Sequence, residues 1–400
     1  MQVTRYLNNI IQMIKSGLLI KHYYQRVYIL ISKKRPIKNN KIVCDHFVGK
    51  GYGGDARYLA EELIKRDSSL DIVWLYDDAK CSKKDFPEFI RPININTNEA
   101  IKELTDSRVW ITNYRSEIFN TCKKRKGQIY IQCWHGGVCI KAVEKDAEET
   151  LPKEYVELAK HDSKMADFFL SCCEWRTTNY RNAFWYDGTI LKKGLPSMDV
   201  FSQNVEQTNN YVRKCLGISS STKIALYAPT FRNSSDKNPY YIDTEKLLKA
   251  LEDRFGGDWC IIIRMHPNVA TLQDNIVNSD KVINGTNYPD MNDILVASDI
   301  LITDYSGCIF DAFYANKKVF LFATDLEEYL KKERKLYFNI EQLPAPLAKN
   351  NMDLMNAIKL FDEETYEKNR NSFIEQLGYY NVNNSTALVV DHIMEILRSS

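Results

Sequence analysis

Residues 291–337 read MNDILVASDILITDYSGCIFDAFYANKKVFLFATDLEEYLKKERKLY. The apolar run at 300–303 predicts a buried strand, Asp304, Tyr305, Ser306 and Gly307 a turn, 308–315 a short helix and 319–323 the next strand. Two strands joined through a helix point to a parallel βαβ unit and so to an α/β fold. The turn of such a unit lies at the carboxyl edge of the sheet, where ligands bind. Its free N–H groups and the helix dipole favour an anion such as a phosphate. Many such turns bind nothing, so the segment gives a place for a ligand rather than its identity.

Three further apolar runs end in polar groups. IQCWHGGVCIK at 131–141 puts His135 just after a strand, followed by Gly136, Gly137 and Lys141. IALYAPTFR at 224–232 ends in Thr230 and Arg232, and IIIRMHP at 261–267 in Arg264 and His266. Strand ends on one sheet edge converge. Histidine, arginine, lysine and hydroxyl groups together suit a phosphate ester.

These blocks resemble the CDP-glycerol glycerophosphotransferase family of teichoic-acid and capsule polymer enzymes. The matching pieces are Trp134-His135-Gly136 with Lys141, the 228–232 and 264–267 segments, and Asp304-Tyr305-Ser306 with Phe310 and Asp311, then Asp325 and Tyr329. The glycine-rich stretch GKGYGGD at 49–55 with Tyr58 resembles the family's first turn and helix. The resemblance spans roughly residues 40–375, with departures at Gly307, where the family usually has a second serine, at Ser197, where it often has arginine, and at 137–139.

The resemblance implies a GT-B fold, with two Rossmann-like domains facing across a cleft. It implies transfer of a polyol phosphate, foremost glycerol phosphate, from a CDP-activated donor to a hydroxyl of a lipid-linked saccharide or a wall or capsule polymer, releasing CMP. His135 is then the general base, since imidazole titrates in the right range. Arg264 and His266 would stabilise the leaving diphosphate, with His266 also a candidate general acid. Arg232, Lys141, Thr230, Gly136 and Gly137 would support the substrate, Ser306 and Gly307 would bind a phosphate oxygen, and Asp311 a ribose hydroxyl. No cofactor or metal is required, although Asp304 and Asp311 could in principle hold magnesium. Two alternatives stand beside this reading: a sugar-nucleotide enzyme of the same fold (glycosyltransferase or hexosamine epimerase), and a non-catalytic, membrane-docked nucleotide-binding protein.

The 400 residues suggest two domains. A net charge of +2 and the lack of a nucleic-acid motif argue against nucleic-acid binding. The ten cysteines include no Cys-x-x-Cys pair, so buried reduced thiols are expected rather than zinc or a disulfide framework. Cys133 and Cys139 stand near His135, but packing explains them better than a nucleophile's role. Residues 1–42 carry nine basic residues and no acidic one, with Leu7, Ile10, Ile11, Ile14 and Leu18 at helical spacing. No run is long enough to span a bilayer. A basic amphipathic segment at the cytoplasmic face of an anionic membrane fits this pattern.

Alternating apolar runs predict strands at 41–48, 71–76, 108–112, 128–133, 168–171 and 188–194, then at 224–227, 259–264, 281–283, 300–303 and 319–322. Helices are expected between them and at 383–397. The expected organisation is a membrane-surface segment at 1–40, an acceptor domain at 41–205 and a CDP-donor domain at 206–400, with the polar stretch 202–208 between the last two.

Overall fold

The computed structural model describes residues 18–230, 232, 238–265, 279–332, 335–382 and 384–399. The chain divides into two compact units. The first holds the residues up to Trp134, Leu158–Phe169 and those from Val389 onward; the second holds His135–Glu157 and Leu170–Leu388. Their limits differ from the expected boundary at 202–208, because the chain passes between the units more than once.

In the first unit β1 (Lys38–Asp45), β2 (Asp71–Tyr76), β3 (Ile90–Asn94), β4 (Ser107–Thr112), β5 (Ile129–Gln132) and β6 (Phe168–Leu170) follow the spatial order β3-β2-β1-β4-β5-β6. All these pairings are parallel. Both faces of a parallel sheet are covered, so its strands read as continuous apolar runs. β2 (DIVWLY) has four consecutive buried residues. The helix Gly54–Arg66 buries Ala56, Leu59, Ala60 and Leu63, spaced i, i+3, i+4, i+7 along one face.

The second unit contains β7 (Thr189–Leu191), whose Leu191 carbonyl accepts from Ser171 N–H at 3.0 Å. Its main sheet comprises β8 (Lys223–Ala228), β9 (Trp259–Ile263), β10 (Val282–Asn284), β11 (Ile300–Thr303), β12 (Lys318–Phe322) and β13 (Leu347–Ala348). The order is β10-β9-β8-β11-β12-β13, again parallel. Each unit thus has the doubly wound strand order, reversing between its first and fourth strands. The α/β fold with parallel sheets agrees with the sequence reading.

Two strands escaped that reading. β3 (IRPIN) carries Arg91 and Pro92, which speak against a strand, but it lies at a sheet edge where proline is tolerated. β13 is two residues long. The helix Val205–Leu216 begins inside the stretch read as a linker, and the polar helices Asn351–Lys359 and Glu363–Leu377 were also unforeseen.

At the amino end, the helix Leu18–Ser32 packs on Asn98–Asp106. It buries Ile29 and leaves Tyr23, Tyr24, Leu30 and Ile31 exposed. Leu7, Ile10, Ile11 and Ile14 lie outside the described residues. Among the described residues no helix is long and apolar enough to cross a membrane.

Candidate active site

The reversal of strand order in the second unit falls between β8 and β11, which pair in register from Ala225–Ile300 to Ala228–Thr303. Two chain segments leave that edge. After β8 come Thr230 and Arg232; after β11 come Asp304, Tyr305, Ser306 and Gly307, leading into the helix Cys308–Tyr314.

Asp304 ties the two segments together. Its Oδ1 accepts the N–H of Thr230 at 2.8 Å and of Tyr305 at 2.6 Å, while its Oδ2 accepts from Arg232 Nη2 at 2.8 Å. Asp325, beyond β12, takes the other side of the guanidinium. Arg232 Nε reaches its Oδ2 at 2.7 Å and Nη2 its Oδ1 at 3.0 Å. Burial alone would raise the Asp325 carboxyl, but its bonds to Arg232 hold it below the usual range. Tyr305 donates its hydroxyl to Asp325 Oδ1 at 3.0 Å and stacks on Tyr329 with ring centroids 3.7 Å apart. Arg232 Nη1 donates to the Thr230 carbonyl. The Arg232 guanidinium, read as a substrate contact, is thus held by two carboxylates and a carbonyl, and both Asp304 oxygens are engaged. Among the described residues no cluster of metal-ligating side chains occurs.

The His135 segment reaches the same place. Gly136 has a positive φ of 89° and is exposed, whereas Gly137 is buried. A Cβ on Gly137 would stand 2.8 Å from Cys172 Sγ, so a larger residue would have to displace that side chain. A Cβ on Gly307 would stand 3.2 Å from the Val138 carbonyl oxygen, which sets the His135–Lys141 loop directly against the Ser306–Gly307 turn. At the end of the loop Lys141 bridges Leu336, with Ala142 N–H bonded to the Lys335 carbonyl and Tyr337 N–H to the Ile140 carbonyl, both at 2.7 Å. The Lys141 ammonium lies 5.6 Å from the Tyr329 ring centroid. His135 is half-buried.

Arg264 follows β9, its N–H bonded to the Tyr227 carbonyl at 2.9 Å. Its Nη1 donates to the carbonyls of Tyr288 and Gly285. Burial pulls the guanidinium below its usual range, with Asp290 acting against that trend. Ser306 Oγ accepts from Cys308 N–H at 3.4 Å. Thr230 Oγ1 is buried and has no partner among the described residues. Asp311 sits half-buried in the first turn of the helix. His266 lies outside the described residues. Burial raises the thiols of Cys133 and Cys139, which disfavours either as a nucleophile.

One residue of the site was not foreseen. Arg176, on the helix Glu174–Ala183, is fully buried and runs beneath the loop. Its Nε donates to the Gly137 carbonyl, Nη2 to the Gly136 carbonyl at 3.3 Å and Nη1 to Asn179 Oδ1 at 2.9 Å. The sequence shows it only as one more cation at a helix start; its burial comes from tertiary packing.

Comparison with known proteins fits this arrangement. The model of the CDP-glycerol:poly(glycerophosphate) glycerophosphotransferase family matches residues 27–395. The chain belongs to this family. It is 28% identical over 370 residues to the teichoic acid poly(glycerol phosphate) polymerase of Staphylococcus epidermidis, covering 89% of this chain and 50% of that polymerase. The chain therefore spans about half the length of that relative. It is also 28% identical to the teichoic acid glycerol-phosphate transferase of Staphylococcus aureus, over 87% of this chain and 90% of the transferase. Among solved structures, the wall teichoic acid polymerase TagF superposes with a TM-score of 0.83 at 25% identity, covering 99% of this chain and 98% of that one.

Proposed function

We propose that this protein transfers glycerol phosphate from CDP-glycerol to a hydroxyl of a teichoic-acid-type polymer or lipid-linked saccharide. The acceptor oxygen forms a bond to the glycerol-bearing phosphorus, the bridging P–O bond breaks and CMP leaves. The observation that carries this reading is the meeting of the His135 loop with the Ser306–Gly307 turn at the point where the sheet order reverses. It supports reading the loop that carries the candidate base together with the candidate anion site.

In this reading His135 takes the acceptor proton as the P–O bond forms. Ser306, the Gly307 N–H and Arg264 hold the diphosphate, and Lys141 and His266 add positive charge as CMP departs. Support for Arg264 comes from its geometry. It is a half-buried cation whose side-chain bonds among the described residues go to carbonyls, so an anionic ligand would complete its shell. Thr230 is read as a further substrate contact and Asp311 as the ribose contact. Arg232 holds Asp304 and Asp325, and through them both chain segments, so it shapes the site from beneath. No step requires a metal. The exposed Tyr23, Tyr24, Leu30 and Ile31, on a helix without acidic residues, support attachment to the cytoplasmic face of an anionic membrane.

A donor panel tests the reading. The protein is incubated with CDP-glycerol, CDP-ribitol and a UDP-sugar in the presence of acceptor, and the released nucleotide is identified. CMP from CDP-glycerol, faster than from CDP-ribitol, is expected. UDP or UMP release alone would place the chain among sugar-nucleotide enzymes.

A further inference from the structure

In the block Asp325 to Tyr329 the carboxylate takes the Arg232 guanidinium, and the tyrosine lies beneath a second cation. Tyr329 is buried on the helix Leu326–Lys332. Its N–H bonds the Asp325 carbonyl at 2.8 Å, so the residue that grips Arg232 also fixes the turn that carries the ring. The ring stacks on that of Tyr305 at 3.7 Å, with 19° between the planes. Tyr305 is itself buried and bonded through its hydroxyl to Asp325 Oδ1 at 3.0 Å. Two buried, stacked rings tied to one carboxylate have little freedom to tilt.

Two cations stand over the Tyr329 ring. The Arg232 guanidinium is 5.1 Å from its centroid and the Lys141 ammonium 5.6 Å. A cation within about 6 Å of a ring centroid is attracted by the negative face of the ring. For Arg232 this adds to two carboxylates that already hold it. Lys141 is different. Its backbone is fixed by the bridge to Leu336 and by the bond from Ala142 N–H to the Lys335 carbonyl. Fixing the backbone leaves a flexible four-carbon stem, so the ammonium needs its own restraint. One stretch of chain therefore serves both cations: Asp325 grips Arg232, Tyr329 lies under the Lys141 ammonium, and Leu336 holds the Lys141 backbone.

We infer that Tyr329 is a positioning residue for the proposed transfer: its ring holds the Lys141 ammonium at the end of the His135 loop, where that charge meets the departing CMP. The inference rests on the phosphotransferase reading of Lys141. CMP release from CDP-glycerol with acceptor present is measured for the wild type, Tyr329→Phe, Tyr329→Leu, Lys141→Met and the double variant Tyr329→Leu/Lys141→Met. Tyr329→Leu should lower kcat about ten-fold with KM for CDP-glycerol within about two-fold, while Tyr329→Phe keeps most of the turnover. Added to Lys141→Met, the leucine should cost less than about two-fold more, because the interaction is already gone. Tyr329→pentafluorophenylalanine keeps the shape of the ring and reverses its quadrupole. It should lose about five-fold in kcat relative to Tyr329→Phe at equal thermal stability, and this arm decides even if the leucine variant does not fold. A full ten-fold loss on the Lys141→Met background, or equal turnover by the phenylalanine and pentafluorophenylalanine variants, would overturn the inference and leave the ring a packing element. If the wild type releases no CMP, the phosphotransferase reading falls on its own account. The pairing is then read by NMR on protein whose lysines carry carbon-13 methyl groups, with the Lys141 signal identified by its loss in Lys141→Met. An upfield ring-current shift of that signal, abolished in Tyr329→Leu, supports the pairing; an unshifted signal in the wild type overturns it.

Discussion

At the scale of single residues, the proposed site separates groups assigned to the ligand from groups that hold them. His135→Ala should lower turnover at least about a hundredfold while CDP-glycerol affinity stays within a few-fold, as for loss of a general base; near-normal turnover would remove His135 from the chemistry. Arg176 acts through the carbonyls of Gly136 and Gly137. Arg176→Gln should therefore lower kcat with little change in KM, and Arg176→Lys should restore part of it. Equal loss of protein stability and activity, without rescue by lysine, would make the residue merely structural. Arg232→Met leaves Asp304 and Asp325 buried without their cation. The expected destabilisation is about 3–5 kcal/mol by urea unfolding; a loss below about 1 kcal/mol would contradict the geometry. The residues flanking this chemistry could be picked out of the sequence because each closes an apolar strand. Arg176 and the pairing of Arg232 with Asp325 could not, because a partner across 93 positions of chain leaves no local pattern.

Secondary-structure elements show the same division. Strands buried on both faces, such as β9 (WCIII) and β11 (ILIT), announce themselves as apolar runs. The edge strands β3 and β13 and the polar helices of the second unit do not, since their burial is one-sided. The glycine-rich turn after β1 is closed by Asp45, whose Oδ1 accepts Gly49 N–H at 2.8 Å and whose Oδ2 accepts from Thr112. Burial pushes the Asp45 carboxyl up from 3.8 to about 6, against those bonds. Between these values the unfolded chain ionises while the folded one keeps its proton. Stability contributed by this group is therefore present at acid pH and lost as pH rises towards 6, by up to roughly 3 kcal/mol. Asp45→Asn should flatten the unfolding free energy across that window; an unchanged slope would place the ionisation elsewhere. For the helix Leu18–Ser32, replacing Leu30 and Ile31 with glutamate should reduce sedimentation with anionic liposomes, and salt should weaken the binding of the unaltered protein. Undiminished sedimentation would show that other residues attach it.

For the whole molecule, two parallel α/β sheets were legible as two alternating series of apolar runs, whereas their shared reversing strand order came only with the structure. The way the chain divides between the units was not, because segments such as Leu158–Phe169 and Val389 onward join the first unit from far along the sequence. The proposed transfer of a polyol phosphate would take place where the His135 loop meets the Ser306–Gly307 turn. The most direct measurement is mass analysis of a lipid-linked saccharide acceptor after incubation with CDP-glycerol, with CMP quantified in the same reaction. The predicted result is an acceptor heavier by whole glycerol phosphate units, with one CMP released per unit added. An unchanged acceptor alongside CMP release, or an acceptor that gains a sugar from a UDP-sugar instead, would contradict it.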